Sequence, residues 1–349
     1  MTFIPKPRVI HPGLPKNKLG LTVRDYEGAM STLCAGCGHD SVTAAIITAF
    51  HELDTEPHRV VKLSGIGCSS KTPTYFLNAA HGFNSAHGRM PAIATGANAA
   101  NRGLAYIGIS GDGDSLSIGL GHLAHAIRRN LNMLYVIENN GVYGLTKGQF
   151  SASADVGTKS KKGEANTFSP IDPAQLAITL GATFVARSFS GDKRQLVPLL
   201  KAGLRHRGFA IVDVISPCVT FNDHEGSTKS YKYTRERDVE IVHTDFVPHA
   251  AEITADYAEG TSVTMHDGSV MRFTKVAEGY DPRSRERAMA YLMDHQKSGQ
   301  VPTGLLFVDE TAPEMHEIAG TVEQPLNQVP FEKLCPGNKA LDELQEAFR

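Results

Sequence analysis

The chain predicts an α/β fold with a doubly wound parallel sheet, on three observations. Apolar runs that read as strands alternate with helical stretches from about residue 40 to residue 220, the pattern of a parallel sheet with helices on both faces. Two of those runs, 105–109 and 133–137, lead into polar strings, Gly-Asp-Gly-Asp at 111–114 and Asn-Asn at 139–140. A third, 60–63, leads into Gly-Ile-Gly-Cys-Ser-Ser at 65–70. In an open parallel sheet the carboxyl ends of the strands form the ligand-binding edge, so all three strings are predicted to lie there.

The elements follow in order. Residues 1–19 are rich in proline and basic side chains and read as an extended arm without an apolar signal core. Apolar residues at helical spacing (Val42, Ala45, Ile46, Ala49, Phe50, Leu53) predict a helix over 41–53. The strand at 60–63 follows. The segment 78–96 is dense in Gly and His and reads as a loop, before a small-residue helix at 97–102. Strand, helix and strand then fill 105–140. A polar Gly/Ser/Lys loop at 141–165 is long enough to suggest function. Asp172 and Pro173 are the N-cap and first residue of a further helix. A strand at 183–186, a helix at 192–207 and a buried strand at 209–215 complete a domain over 20–225. Beyond it the alternation breaks down. A hairpin is predicted around 266–269, a helix at 285–297, a strand at 304–309 and a terminal helix at 340–348. Residues 226–349 are therefore read as an irregular extension packing on the domain or on a partner.

Composition excludes several classes. The chain has 349 residues, 41% hydrophobic and 21% charged, with a net charge of −2. That balance suits a globular protein and gives no basic footprint for nucleic acid or an acidic membrane surface. No apolar stretch approaches the roughly 20 residues of a membrane span. The expected location is the cytoplasm. Five cysteines, Cys34, Cys37, Cys68, Cys218 and Cys335, favour metal or redox chemistry over a disulfide scaffold in such a chain.

The strings at 111–114 and 139–140 carry the first chemical signal. A carboxylate and an amide oxygen on one sheet edge suit Mg²⁺, which also takes phosphate oxygens. A dinucleotide fingerprint fits poorly, because Asp112 would face a pyrophosphate with its own charge. The cysteines carry the second. Cys34 and Cys37 form a C-x₂-C pair, while Cys68 and Cys218 each follow a strand. Strand ends gather along one edge, and four thiolates there fit either a cubane 4Fe–4S cluster or a tetrahedral Zn²⁺. Cys335 lies in a proline-flanked tail and is expected to be unliganded.

The 30-residue stretch from Gly111 to Asn140, opening Gly-Asp-Gly and closing Asn-Asn, resembles the thiamine diphosphate motif. With Cys-Ala-Gly-Cys-Gly-His at 34–39, Ser-Gly-Ile-Gly-Cys-Ser-Ser-Lys at 64–71, His-Gly-Arg at 87–89 and Asn-Asn-Gly-Val-Tyr-Gly-Leu-Thr-Lys-Gly-Gln at 139–149, the chain resembles the β subunit of a 2-oxoacid:ferredoxin oxidoreductase, most closely the 2-oxoglutarate type. The resemblance covers about residues 20–235. It implies a thiamine-diphosphate-binding fold of the diphosphate type. It implies Mg²⁺ on Asp112, Asn140 and the carbonyl of Val142, with the backbone around Gly113, Asp114, Gly144 and Leu145 along the diphosphate. It implies thiamine contacts from Ile66, Gly67, Cys68, Ser69 and His87, and one 4Fe–4S cluster on Cys34, Cys37, Cys68 and Cys218. It assigns Lys71 and Lys147 to the substrate carboxylates, which favours 2-oxoglutarate over pyruvate.

The implied reaction is oxidative decarboxylation of 2-oxoglutarate with coenzyme A to succinyl-CoA, CO₂ and reduced ferredoxin, or its reverse. Only the diphosphate half of a thiamine site is found in the sequence, so an α (or fused γα) subunit is expected to complete it. Alternatives are a pyruvate or broad 2-oxoacid enzyme, a zinc-bearing thiamine enzyme without redox chemistry, and a non-catalytic iron–sulfur subunit. His39 is a candidate to hydrogen-bond near the cysteines, whereas His122 and His125 are read as packing or surface residues.

Overall fold

The structure is a computed structural model that describes residues 11–159, 163–249, 258 and 260–349. Part of the predicted arm, residues 1–10, lies outside them. Its described end is tied down by Asn17, whose amide donates to the Tyr26 hydroxyl (2.8 Å) and the His51 carbonyl (3.1 Å).

Ten strands form one sheet: β1 (Val60–Ser64), β2 (His81–Asn84), β3 (Ala105–Gly111), β4 (Met133–Asn139), β7 (Phe184–Phe189), β8 (Phe209–Ile215), β9 (Asp238–Val247), β10 (Ser262–Thr264), β11 (Val270–Val276) and β12 (Val301–Val308). The short pair β5 (Val142–Tyr143) and β6 (Gln149–Phe150) is a separate hairpin. The strand order is β10-β11-β9-β12-β7-β8-β4-β3-β1-β2. The block β2-β1-β3-β4-β8-β7 is wholly parallel. β12 joins it antiparallel to β7 and carries β9 parallel on its other side, with β11 and β10 antiparallel beyond.

The central strands β4, β7 and β8 are buried at every position, as continuous apolar runs in a two-sided sheet require. Helix α1 (Gly38–Glu52) packs with α5 (Lys193–Arg205), while α2 (Met90–Ala100), α3 (Leu120–Arg128), α4 (Pro173–Leu180) and α7 (Arg285–Lys297) form a second row. Phe50, Phe76, Phe184 and Phe209 are fully buried between sheet and helices, each contributing about 1.5–3 kcal/mol by area. Asp172 and Asp192 cap α4 and α5 by accepting the next backbone N–H groups, and Gly181 (φ 95°) closes α4 in the left-handed form glycine adopts at low cost.

Two regions hold more order than their sequence pattern reveals. The stretch read as a loop at 78–96 contains β2 and most of α2, which starts with Pro91 in its first turn. β2 is an edge strand exposed at all four residues, so it has no apolar alternation to read. The stretch beyond 225 adds α6 (Tyr231–Arg237) and four strands to the same sheet. The expected hairpin is β10–β11, and the expected helix is α7 over the same residues.

The chain leaves β1 for β2 on one side, then crosses to β3 on the other. The sheet's switch point thus lies between β1 and β3, whose carboxyl ends are Ser64 and Gly111.

Candidate functional site

At that switch point a pocket is lined by Ile66, Gly67, Cys68 and Ser69 after β1, by Gly111 to Asp114 at the end of β3, by Glu138 at the end of β4 and Asn140, Val142, Tyr143 and Gly144 beyond it, and by His39 from α1. The three predicted strings therefore meet at one place. Asp112 is 1% exposed and has no ion-pair partner within 4 Å among the described residues. Its Oδ2 accepts from the Gly141 N–H (3.1 Å) and from the Ser151 and Ser153 hydroxyls, and its Oδ1 accepts a long 3.4 Å bond from the Asn140 N–H. Burial pushes its carboxyl up from the ordinary range, against these donors. Asn140 Oδ1 accepts from the Val142 N–H (3.0 Å), which folds the 140–142 turn back on itself beside Asp112. A buried carboxylate with no close ion pair and only the more distant charge of Lys229, next to an amide oxygen and a turn carbonyl, is a donor set suited to a hard cation.

Asp114 plays a different part from Asp112. Its Oδ1 accepts from the Gly88 N–H (2.7 Å) and its Oδ2 from Ser110 Oγ (2.8 Å), with a further bond from the Ile66 backbone. One carboxylate thus fastens the loops after β1, after β2 and after β3. Gly88 is buried with φ 70°, and a Cβ there would lie 2.8 Å from the backbone of Ile118 and Gly119. His87 beside it is exposed. After Asp114 the chain makes a π-helical turn (Asp114–Ile118) before α3, a form that recurs at functional sites. Tyr143 closes the pocket by donating to the Gly113 carbonyl (2.8 Å).

The four predicted cysteines converge on the neighbouring edge. Cys34 and Cys37 form one turn, with the Cys37 N–H on the Cys34 carbonyl (3.0 Å). The Gly38 N–H reaches the Pro217 carbonyl (3.3 Å), and Thr220 Oγ1 lies 3.6 Å from Cys34 Sγ. That joins the first pair to the loop carrying Cys218. A Cβ on Gly144 would lie 3.3 Å from Cys68 Sγ and 3.6 Å from Cys218 Sγ, so Gly144 links the pocket to both sulfurs. Burial and the neighbouring cysteines raise the Cys37 thiol to about 12 and the Cys68 thiol to about 11. Lys71 opposes the shift at Cys68. No three His, Cys, Asp or Glu side chains among the described residues are grouped to hold one metal ion. Cys335 is exposed, far along the chain near the terminal helix.

Lys71 follows Cys68 on the same short helix and is half-buried. Lys147 is exposed in the β5–β6 turn with φ 78°, and its N–H bonds the Gly144 carbonyl (3.0 Å). Leu145 is exposed in the same turn. His39 is buried, with Nδ1 2.6 Å from Ser216 Oγ and Nε2 3.8 Å from Glu138 Oε2; burial lowers it to about 4. Its backbone N–H, not its ring, meets Cys37. His122 and His125 lie on α3 outside the pocket.

Sequence reasoning missed four residues that hold this site. Ser151 and Ser153 hold Asp112. Glu138 is wholly buried, accepts from Thr72 Oγ1 (3.0 Å), and is pushed well up by desolvation. Asn222 donates to the Asn140 carbonyl (2.8 Å) while its N–H bonds the Cys218 carbonyl (2.9 Å), tying the cysteine loop to the cation edge.

Comparison with known proteins places this geometry. Residues 65–214 match the thiamine pyrophosphate enzyme C-terminal TPP-binding domain. The chain is 37% identical over 267 residues to a 2-oxoacid:ferredoxin oxidoreductase subunit beta of Saccharolobus solfataricus, across 74% of this chain and 87% of that one. The chain belongs to the β subunits of the 2-oxoacid:ferredoxin oxidoreductases. This β subunit is also 41% identical to the 2-oxoglutarate oxidoreductase subunit KorB of Mycobacterium tuberculosis, over 60% of this chain and 56% of that one. In structure it matches a 2-oxoglutarate:ferredoxin oxidoreductase from Magnetococcus marinus, solved with 2-oxoglutarate, coenzyme A and succinyl-CoA bound. The TM-score is 0.72 at 28% identity, covering 92% of this chain and 97% of the other. The thiamine-diphosphate-binding fold and an oxidoreductase family are thus established for this β subunit.

Proposed function

We propose that this chain is the β subunit of an enzyme that oxidatively decarboxylates 2-oxoglutarate with coenzyme A, giving succinyl-CoA, CO₂ and reduced ferredoxin. The observation that carries the reading is Gly144, which stands between the Asp112–Asn140 cation edge and the sulfurs of Cys68 and Cys218. A cofactor held at the first is thereby adjacent to an electron acceptor held at the second.

Thiamine diphosphate supplies the carbanion chemistry that decarboxylation requires. Asp112, Asn140 and the Val142 carbonyl would hold Mg²⁺, and the donor set described above fits it. The Gly113 and Gly144 turns bring backbone close to the diphosphate, with Tyr143 as the wall between them. Ile66, Gly67, Cys68, Ser69 and His87 would contact the thiamine. Cys34, Cys37, Cys68 and Cys218 would hold one 4Fe–4S cluster, with the sulfurs of Cys68 and Cys218 beside Gly144. Lys71, on the same short helix as Cys68, and Lys147, in the turn that holds Gly144, would serve as point charges for the two substrate carboxylates.

An α subunit is the partner that would complete the site, and ferredoxin the electron acceptor. No helix among the described residues is long and apolar enough to cross a membrane; we infer a cytoplasmic enzyme. The test is anaerobic purification with the partner subunit. About four irons per chain, bound thiamine diphosphate, and coenzyme A-dependent viologen reduction faster with 2-oxoglutarate than with pyruvate are expected. A one-zinc complex, or pyruvate as the better substrate, overturns the assignment.

A further inference from the structure

Asp112 is one end of a buried chain of hydrogen bonds that crosses the sheet edge. Ser153 Oγ lies 2.5 Å from Asp112 Oδ2 and 2.9 Å from Asn139 Oδ1, so its single proton serves both oxygens. Asn139 Nδ2 donates to Asp213 Oδ1 (3.0 Å). Asp213 Oδ2 accepts from Arg187 Nε (2.7 Å), and Arg187 Nη2 donates to Asp172 Oδ1 (2.6 Å). Asp172 Oδ1 also accepts the Ala174 and Gln175 N–H groups at the start of α4. Asp112, Asn139, Ser153, Arg187 and Asp213 are each at most 5% exposed.

Three features make this chain more than packing. It ends on a helix cap, so its outer member is fixed by backbone rather than by a mobile side chain. It commits Oδ2 of Asp112 to two hydroxyls and the Gly141 N–H, which leaves Oδ1 as the less engaged oxygen beside Asn140. Its charges are unbalanced: Arg187 pairs with Asp172 and Asp213, and Asp112 stands at the other end with only the more distant charge of Lys229, itself paired with Asp155, so the carboxylates outnumber the cations and a divalent ion offsets the excess.

We propose that Ser153, Asn139, Asp213 and Arg187 form a positioning relay that holds Asp112 for Mg²⁺ and so sets the affinity of the site for its metal–diphosphate cofactor. The proposal rests on the thiamine reading above, and assigns a role to residues outside the pocket wall. Outer partners of metal ligands typically govern metal affinity by 10–100-fold, and members of one network couple non-additively.

The relay borders a cavity of about 240 Å³, where water would replace a truncated side chain, so the near-isosteric Asp213→Asn is the sharpest variant and Ser153→Ala the second. The assembled complex, stripped of metal and cofactor with a chelator, is titrated with Mg²⁺, and with Mn²⁺ followed by electron paramagnetic resonance, at fixed thiamine diphosphate. Each variant is expected to weaken metal binding by about tenfold or more. Its kcat should return at saturating Mg²⁺ and its KM for 2-oxoglutarate should stay unchanged. The double variant should lose less than the product of the two, and Ser153→Thr should recover most of the loss. Tyr233→Phe, which lines the same cavity but bonds only the Gly299 carbonyl in it, should bind metal as the wild type does. Metal affinity within twofold of wild type in both Asp213→Asn and Ser153→Ala overturns the relay and leaves the thiamine reading intact. A wild-type complex that binds neither Mg²⁺ nor thiamine diphosphate overturns both.

Discussion

Gly113→Ala tests whether Tyr143 is the wall of the diphosphate pocket. Gly113 has φ −65° and ψ −42°, an ordinary helical conformation that alanine adopts without strain. Backbone propensity alone would make the change favourable by about 1 kcal/mol. The packing opposes it. A Cβ at this position would lie 2.5 Å from both Cε1 and Cζ of Tyr143, and carbon contacts relax only near 3.5 Å or more, so the ring must retreat by about 1 Å. Tyr143 is held by its hydroxyl on the Gly113 carbonyl and belongs to the β5–β6 hairpin that also carries Val142. Overpacking of this kind costs about 1–3 kcal/mol, which exceeds the propensity gain. The strain falls on the turn that presents the Val142 carbonyl, so it should appear mainly as lost cofactor affinity, about 10-fold if some 1.4 kcal/mol is transmitted. The assay is thermal unfolding of the complex against thiamine diphosphate concentration at fixed Mg²⁺, since a ligand raises stability by RT ln(1 + [L]/Kd). The double variant Gly113→Ala with Tyr143→Ala should regain part of the loss. Wild-type affinity in Gly113→Ala, or no recovery in the double variant, would refute the steric argument.

Other consequences are equally direct. Asp112→Asn should abolish the Mg²⁺-dependent thermal shift of the complex while leaving the metal-free chain folded, because it removes the charge but keeps the shape of the side chain. Cys218→Ser should lower iron content and bleach the visible absorbance of the anaerobic complex, with thiamine diphosphate still bound. Lys147→Gln should raise KM for 2-oxoglutarate at least tenfold and spare weak pyruvate turnover; equal losses on both substrates would remove Lys147 from carboxylate recognition. Lys62 predicts a pH effect. Burial lowers its ammonium to about 8, while the unfolded chain titrates near 10.4. Between those values the unfolded state holds more protons, so stability rises with pH in that window and is flat below it. At about 1.4 kcal/mol per unit, the wild type should gain about 3 kcal/mol over Lys62→Met between pH 7.5 and 10.5, read from urea midpoints; a constant difference would sink the assignment.

Most of the parallel core was legible because its strands are buried on both faces and bounded by glycine strings. Asp172 and Pro173 announce their helix by residue type alone, and the structure shows Asp172 as its cap. The edge strand β2 was illegible because exposure removes the apolar signal. β9 hid for another reason: Ile241 and Val242 are both buried, so the alternation changes phase in mid-strand. The site divides in the same way. Asp112, Asn140, Cys68 and Cys218 follow strand ends, where topology gathers them whatever the loops do, and Cys34 and Cys37 reach the same edge from the turn that caps α1. Ser151, Ser153 and Asn222 reach the site from irregular loops, and serine or asparagine in a loop carries no sign of what it will touch.

The placement of β12 has a consequence for how the chain matures. Six parallel strands are complete once synthesis reaches Ile215. The next three strands in sequence, β9 to β11, gain a place in the sheet only through β12, which is made last and inserted between β7 and β9. Until Val308 has left the ribosome, β7 presents an open edge and β9 to β11 have nothing to dock on. The nascent protein thus passes through a half-built stage in which the cation and cysteine loops already exist while one flank of the sheet is uncovered. Such an edge is where mispairing with another chain begins. Cofactor loading is therefore possible in principle before the molecule is closed, and a stop upstream of Val301 should yield a product that aggregates rather than one that is merely shorter.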